Sequence, residues 1–401
     1  MTVDVEDFQR FQGGRSWMAR AGILGAIGLI AALVGLAQDP QAAQFSYLVA
    51  FAYWAGIAIM SLLWVMIFHA FHAKWMTVIR RPFEAMASTL PLFVLLFIPV
   101  AIGLFSGKLY AWVHPENMGL NAEQAELMHN KHGWLNTTFF VARTAVYFLI
   151  TVFLSQRLWG LSTKQDSSGD IQLTVAQRRL SAGGLPFLAL VIAFAAFDWI
   201  MSLSPLWFST MFGVYYFAGG FLSVMSLVSI INTLAVGKDN YGPLVTPEHS
   251  HNVGKLMFAF TCFWTYIGFS QFMLIWIANL PEETPFFTLR MMEPWRPVSI
   301  VLIITHFFIP FLALLSRKLK RNPRLLRIAG FWLLAVNFLD LYWLIMPTLS
   351  PDKVIFPIWL IAAWVGVGGV AIAFAIWRVR GHYTVPVKDP FLSVSLRYRQ
   401  P

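Results

Sequence analysis

Ten stretches of this sequence are each about 20 residues long and nearly free of charge, the length that crosses about 30 Å of hydrocarbon at 1.5 Å per residue. No other feature narrows the fold as far. In lipid every backbone N–H and C=O must be satisfied inside the segment, so runs of this length fold as helices. They lie near 17–37, 45–69, 83–106, 136–156, 185–203, 209–235, 252–279, 297–316, 327–346 and 354–377. The expected class is therefore an all-α integral membrane protein, in line with 58% hydrophobic and 12% charged residues. The first run is as long as a spanning helix and has no small-residue cleavage site, so it is read as part of the mature chain and not as a signal peptide.

Ten spans put both termini on one face. That face carries 23 of the 29 Lys and Arg residues, the opposite loops carry five, and Arg143 lies inside a span. By the positive-inside rule the termini are expected to be cytoplasmic, and the net charge of +10 needs no nucleic acid to explain it. The single cysteine, Cys262, excludes an internal disulfide and a thiolate-held iron–sulfur cluster.

Two connections are long. The outer one, from Gly107 to Leu135, contains "NAEQAELMHNKHGW", read as a short amphipathic helix capped by Asn121 with Gln124 three residues on, lying along the membrane surface. The cytoplasmic one, from Leu161 to Gly184, holds "STKQDSSGD" and is read as a polar, mobile loop.

The chain also resembles itself. "YWAG" at Tyr53–Gly56 matches "YFAG" at Tyr216–Gly219, and "FDWIMSLSP" at Phe197–Pro205 matches "LDLYWLIMPTLSP" at Leu339–Pro351, so Asp198 corresponds to Asp340. The pattern divides one polytopic membrane domain, 1–401, into a first four-helix bundle over 45–203 and a second over 209–346, with 17–37 and 354–377 as peripheral helices. Four helices separate the copies, so the repeat is parallel.

Ionisable residues within apolar spans are costly and mark functional candidates. Arg143 is expected about 10 Å below the outer boundary and Asp198 about 7 Å, so the two can meet in one unit. His129 and His132 reach the same face. The second unit offers His306, Asp340, Asn337 and Gln271, and the inner face offers His69, His72 and Glu84. An Arg143–Asp198 pair either locks two helices together or takes part in proton or quinone-headgroup chemistry; the same choice holds for His306 with Asp340. His129 and His132 are spaced so that a metal is geometrically possible, but no cysteine is near and no metal is expected. The intramembrane histidines do not form the facing pairs that a b-type haem needs.

"FDWIMSLSPLWFSTMFGVYYFAGGF", residues 197–221, with "HNVGKLMFAFTCFWTYIGFSQFMLIWIANLPEET", residues 251–284, resembles the NrfD-like (polysulfide reductase NrfD) family, specifically the smaller, ActF-type membrane subunit of alternative complex III. The resemblance covers nearly the whole chain. It implies ten spans in two four-helix bundles and membership of a quinol:electron acceptor oxidoreductase in a respiratory or photosynthetic chain of a bacterial inner membrane. It further implies a chain with no redox centre of its own, partnered by a larger NrfD-like subunit, an iron–sulfur subunit, multihaem cytochrome c subunits and lipids. Haem c and iron–sulfur clusters would sit in those partners; quinone or quinol is the one small molecule this chain would meet. The implied role is support of assembly together with proton movement; the residues themselves suggest Arg143 and Asp198 as the outer gate of such a path, His129 and His132 as its exit and His69, His72 and Glu84 as its cytoplasmic entry. The other classes weighed are a secondary transporter, which should break corresponding helices of both halves at the midplane, and a purely structural scaffold, which needs no intramembrane Arg or Asp.

Overall fold

The computed structural model describes residue 8, residues 10–235 and residues 244–399. Among them the chain is helical, with one isolated antiparallel bridge between Arg10 and Tyr383. The helices are α1 (Arg15–Gln38), α2 (Pro40–Ala70), α3 (Arg80–Ala87), α4 (Leu90–Leu96), α5 (Ile98–Phe105), α6 (Ala122–Lys131), α7 (Thr137–Ser168) and α8 (Ile171–Trp199). There follow α9 (Phe212–Ala235), α10 (Pro247–Ala278), α11 (Pro285–Met291), α12 (Arg296–Ile303), α13 (Ile309–Leu315), α14 (Arg317–Arg321), α15 (Pro323–Leu349), α16 (Ile358–Val379) and α17 (Leu392–Leu396). Ten spans among the described residues are long and apolar enough to cross a membrane, with α3 to α5 forming the third and α12 with α13 the eighth. The protein is an all-α, multi-pass membrane protein.

The chain ends meet on one face, here the terminal face: Phe11 N–H donates to His382 O at 2.8 Å and Gly381 N–H to Phe11 O at 2.9 Å. α6 and α11 lie on the opposite, far face.

Helix α2 is the axis of the fold. It is hydrophobic on every side, so it can only sit inside the protein or the lipid, and 94% of its apolar window is buried against α8, α9, α15, α16 and the third span. Around it, α8 packs on α7, and α9 packs on α10 and α15. Helix α1 is the opposite case, with 22% of its window buried, and it holds on almost entirely through α16. That contact is backbone to backbone: a methyl group at Gly25 would fall 2.5 Å from Val370 N, and one at Gly28 would fall 2.6 Å from Ala362 O. Lipid supplies no hydrophobic drive to pair helices, so close approach through small residues carries the association.

Two spans are broken. In the third, Pro91 and Pro99 start new helical segments, while the Ser88 and Thr89 hydroxyls donate to Ala85 O and Met86 O at 2.7 and 2.6 Å at the first break. In the eighth, Pro310 follows a π turn over Ile304–Phe308. Proline cannot donate to the carbonyl four residues back, that of His306, and the wider turn absorbs the mismatch. Counted in the two four-helix units expected from the sequence, the breaks fall in the second helix of one and the third of the other, so they do not correspond.

The polar stretch after Leu161 is not a mobile loop. α7 continues to Ser168 and α8 begins at Ile171, leaving a turn of two residues. Gly169 closes α7 in the left-handed region at φ 69°, and the Asp170 carboxylate accepts from Gln172 N–H. Side chains inside the hairpin replace solvent: Gln165 donates to Thr174 Oγ1, and Gln177 donates to Gln165 Oε1. α6 forms as the sequence indicates, with Asn121 and Gln124 making a reciprocal capping box and Met128 buried.

Candidate functional sites

Asp198 ends α8 with no exposed surface. Arg143, nearly two turns into α7, grips it through two bonds of 2.8 Å, Nε to Oδ2 and Nη2 to Oδ1. Tyr147 lies four residues further along the same face of α7 and donates to Oδ2 at 2.6 Å, while the Trp134 indole N–H donates to Oδ1 at 3.1 Å. Each carboxylate oxygen thus accepts twice. The guanidinium is equally occupied: Nη1 donates to Trp134 O at 3.0 Å, and its plane lies 4.0 Å from the Trp134 ring centre and 4.3 Å from that of Phe139. Two fixed N–H donors facing two oxygens make the strongest ion-pair geometry proteins use.

The corresponding carboxylate, Asp340 on α15, is 2% exposed and differently held. Tyr215 on α9 donates to Oδ1 at 2.5 Å and the Trp264 indole N–H on α10 donates to Oδ2 at 3.1 Å. Among the described residues no cation pairs with it. His306, from the π turn, makes no hydrogen bond to the carboxylate. Its ring stacks on Trp264 at 3.7 Å, is fully buried, and neither ring nitrogen has a hydrogen-bond partner among the described residues. Asn337 lies one turn before Asp340, and both reach Gly219, where a methyl group would fall 2.8 Å from Asn337 Oδ1 and 3.6 Å from Asp340 Oδ2.

The second unit has its own buried arginine, Arg290 on α11. Among the described residues it hydrogen-bonds to carbonyls only: Nε to Trp343 O at 3.2 Å, Nη2 to Leu344 O at 2.7 Å and Nη1 to Phe286 O at 2.8 Å. Pro347 explains the first of these, since it leaves Trp343 O without its helical donor. Burial pushes Arg290 down to about 9, which leaves it charged at neutral pH.

Between α10, α11, α12 and α15 lies a cavity of about 300 Å³, lined among others by Tyr215, Trp264, Gly268, Gln271, Phe286 and Trp343. Gln271 is 7% exposed and its Nε2 has no partner among the described residues.

On the terminal face Glu84 is the centre of a buried ion network. Arg80 pairs with Glu84 and Asp389, both at 2.8 Å; Arg81 pairs with Glu84 at 2.7 Å and with Asp166 at 2.5 Å; the Ser162 hydroxyl donates to Glu84. His69 and His72 line a small cleft with Arg80 and Asp389, His69 buried and His72 exposed. Glu84 makes no hydrogen bond to either histidine among the described residues; Arg80, its partner, lines the same cleft as both.

Two stripes of buried hydroxyls run from the carboxylate sites toward this face. On α7 they are Tyr147, Thr151, Ser155 and Ser162, spanning about 22 Å of helix; on α9 they are Ser223, Ser226, Ser229 and Thr233. The middle of these helices is thus less apolar than a hydropathy reading suggests. Thr151 and Ser155 donate to carbonyls of their own helix at 2.8 and 3.0 Å, the arrangement that conceals a hydroxyl in an apolar segment.

His129 and His132 are exposed. They line a surface cleft with Trp112 and Glu116 and make no hydrogen bond to the Arg143–Asp198 pair. Sequence reasoning brought together Arg143 and Asp198 but missed Tyr147, Trp134, Tyr215, Trp264 and Arg290. Tyr147 was findable, four residues from Arg143 on one helix face. Trp134 and Trp264 come from a loop and a neighbouring helix, and nothing local marks them. No family model matches the chain, and a search of curated proteins finds no match.

Proposed function

We propose that this chain is the smaller, ActF-type membrane subunit of an alternative complex III, a quinol:electron acceptor oxidoreductase of a bacterial inner membrane, and that it handles protons while partner subunits carry the electrons. The terminal face is cytoplasmic in this reading, on the charge asymmetry of 23 to five. Haem c and iron–sulfur clusters reside in the partners, which include the larger NrfD-like subunit.

The observation that carries the proton role is Asp340. It is a buried carboxylate held by two neutral donors with no paired cation among the described residues. Oxidation of a quinol releases two protons with its two electrons, and a carboxylate not committed to a cation is suited to exchange them. Asp198 is suited to the other role: four donors fix it, and the Arg143–Asp198 pair serves as the lock between α7 and α8. The non-corresponding helix breaks speak against a secondary transporter with paired midplane sites.

The test is purification of the chain from its native membrane, followed by haem staining and optical spectroscopy, and then Asp340→Asn in the assembled complex. Multihaem and iron–sulfur partners should co-purify, and the variant should assemble with turnover or the proton-to-electron ratio reduced. A chain that purifies alone refutes membership of the complex. An assembled Asp340→Asn complex with unchanged turnover and ratio refutes the proton role.

A further inference from the structure

The geometry points to a binding site for the phosphodiester head of an anionic phospholipid between the start of α10 and α14, where Lys255 and Lys320 come together on the terminal face. α10 begins on that face, with a His249 ring nitrogen 3.1 Å from Ser395 O of the C-terminal segment. Lys320 is the unusual cation here. It is 8% exposed, yet among the described residues its ammonium has no hydrogen bond and no acid. Its stem lies on Gly254, where a methyl group would fall 2.7 Å from Cγ, and its Nζ is 5.5 Å from the Phe258 ring centre. Burial, and then the like charge of Lys255, hold that ammonium below the usual lysine range. A phosphodiester between the two lysines removes the repulsion and takes up donors that are otherwise unused.

Charge and depth choose the kind of anion. The neighbouring Arg321 is met by Glu248 at 2.7 Å, but α14 and the first three turns of α10 carry five cations, Lys255, Arg317, Lys318, Lys320 and Arg321, against that one acid. A zwitterionic head leaves the excess standing, and an anionic head reduces it. Below Lys255 the outward face of α10 runs through Ala259, Cys262, Tyr266 and Phe269 to Ile277, and Tyr266, Phe269 and Ile277 are 65%, 60% and 66% exposed. From Ala259 to Ile277 this face is about 27 Å long, close to the thickness of the hydrocarbon layer. Lys255 stands one turn beyond it, at the level of lipid heads. On the neighbouring α13, Leu312 and Leu315 are exposed, and Phe311 packs across to Phe258 at 5.4 Å, so apolar surface for acyl chains lies below the head on both helices. A free phosphate makes no use of that surface. Membrane topology accounts for basic residues on this face; it does not account for a buried ammonium without a partner.

Native mass spectrometry of the purified full-length chain, delipidated in detergent and titrated with dioleoylphosphatidylglycerol, tests the site without reference to any partner subunit. One phosphatidylglycerol should bind ahead of the rest, and neither an equal amount of dioleoylphosphatidylcholine nor inorganic phosphate should displace it. Lys320→Met keeps the stem and removes the ammonium, and Lys255→Met does the same on α10. Each should weaken that first binding about tenfold, the value of one charge-assisted hydrogen bond. Lys318→Met removes the same charge from an exposed position of α14 and should change the binding by less than about twofold. The lipid-free melting transition of each variant separates loss of the site from loss of the fold, and Lys320→Met should melt no lower than the parent because it removes an unpaired charge. Equal weakening by Lys318→Met and Lys320→Met, equal binding of phosphatidylcholine, displacement by inorganic phosphate, or undiminished first binding to a folded Lys320→Met chain overturns the inference.

Discussion

Asp198 and Asp340 end up in the same surroundings by type and in opposite situations by wiring. Each stands on the last helix of its unit, and each accepts from one tyrosine and one tryptophan. In the first unit the buried arginine also turns to the carboxylate, and in the second it turns to backbone carbonyls, one of them freed at Pro347. The tyrosine moves as well, from the third helix of the first unit to the first helix of the second. The difference teaches that a carboxylate in an apolar bundle can be made rigid or left chemically available by where one guanidinium points, with the rest of its partners unchanged. It also explains where the cavity is. In the first unit Trp134, Arg143 and Phe139 fill the space beside the acid; in the second, α11 is drawn over α15 by Arg290, and the room left in front of Tyr215 remains open.

The largest expected effect comes from breaking the first site. Arg143→Leu leaves Asp198 buried without its cation, at a cost of about 3–5 kcal/mol. The thermal transition of the purified chain in detergent should fall steeply or folded protein should not be recovered. The double replacement Arg143→Leu with Asp198→Leu removes the orphaned charge and should restore much of the loss. If the double variant is no better than the single one, Asp198 is not the reason Arg143 matters.

Arg290→Met sharpens the comparison next. It strips Trp343 O of its donor and Leu344 O of a second one but strands no charge, so about 1–3 kcal/mol is expected, less than for Arg143→Leu. Equal losses from the two arginine variants would mean that the carboxylate partner contributes nothing special.

Much of the architecture was legible in the sequence for one reason: lipid forces backbone hydrogen bonds inside each segment, so length and apolarity alone reveal ten helices. The depth argument brought Arg143 to Asp198 because both distances were counted along regular helices from the same boundary. It failed for His306 and Asp340, because a π turn re-aims His306 and the bulk of Trp264 separates them. The ion network on the terminal face was hidden for another reason. Glu84 was visible at the start of a span, but Asp166 sits in a stretch whose composition reads as loop, and Asp389 comes from a tail more than 300 residues away that folds back onto Arg80. Polarity in this chain marks either solvent or buried pairing, and only the fold tells them apart.

The smallest effects should come from the two tyrosines, and they give the comparison its finest edge. Tyr147→Phe removes one of four donors to Asp198, and the two arginine bonds and the Trp134 N–H remain. A loss of about 0.5–1.5 kcal/mol is expected, the ordinary value of one hydrogen bond. Tyr215→Phe is the same chemical change at a carboxylate with only two donors, so Oδ1 of Asp340 is left with none among the described residues. An unsatisfied buried acceptor costs the full desolvation of that group, so this variant should lose more, about 1–3 kcal/mol. The order is the point, read as two melting transitions measured side by side. Tyr215→Phe should also alter turnover of the assembled complex, since it changes the group through which Asp340 meets the cavity, whereas Tyr147→Phe should leave turnover unchanged. If Tyr147→Phe is the more damaging of the two, or if it is the one that slows turnover, then the division into a locked and an available carboxylate is wrong and the first unit holds the working acid.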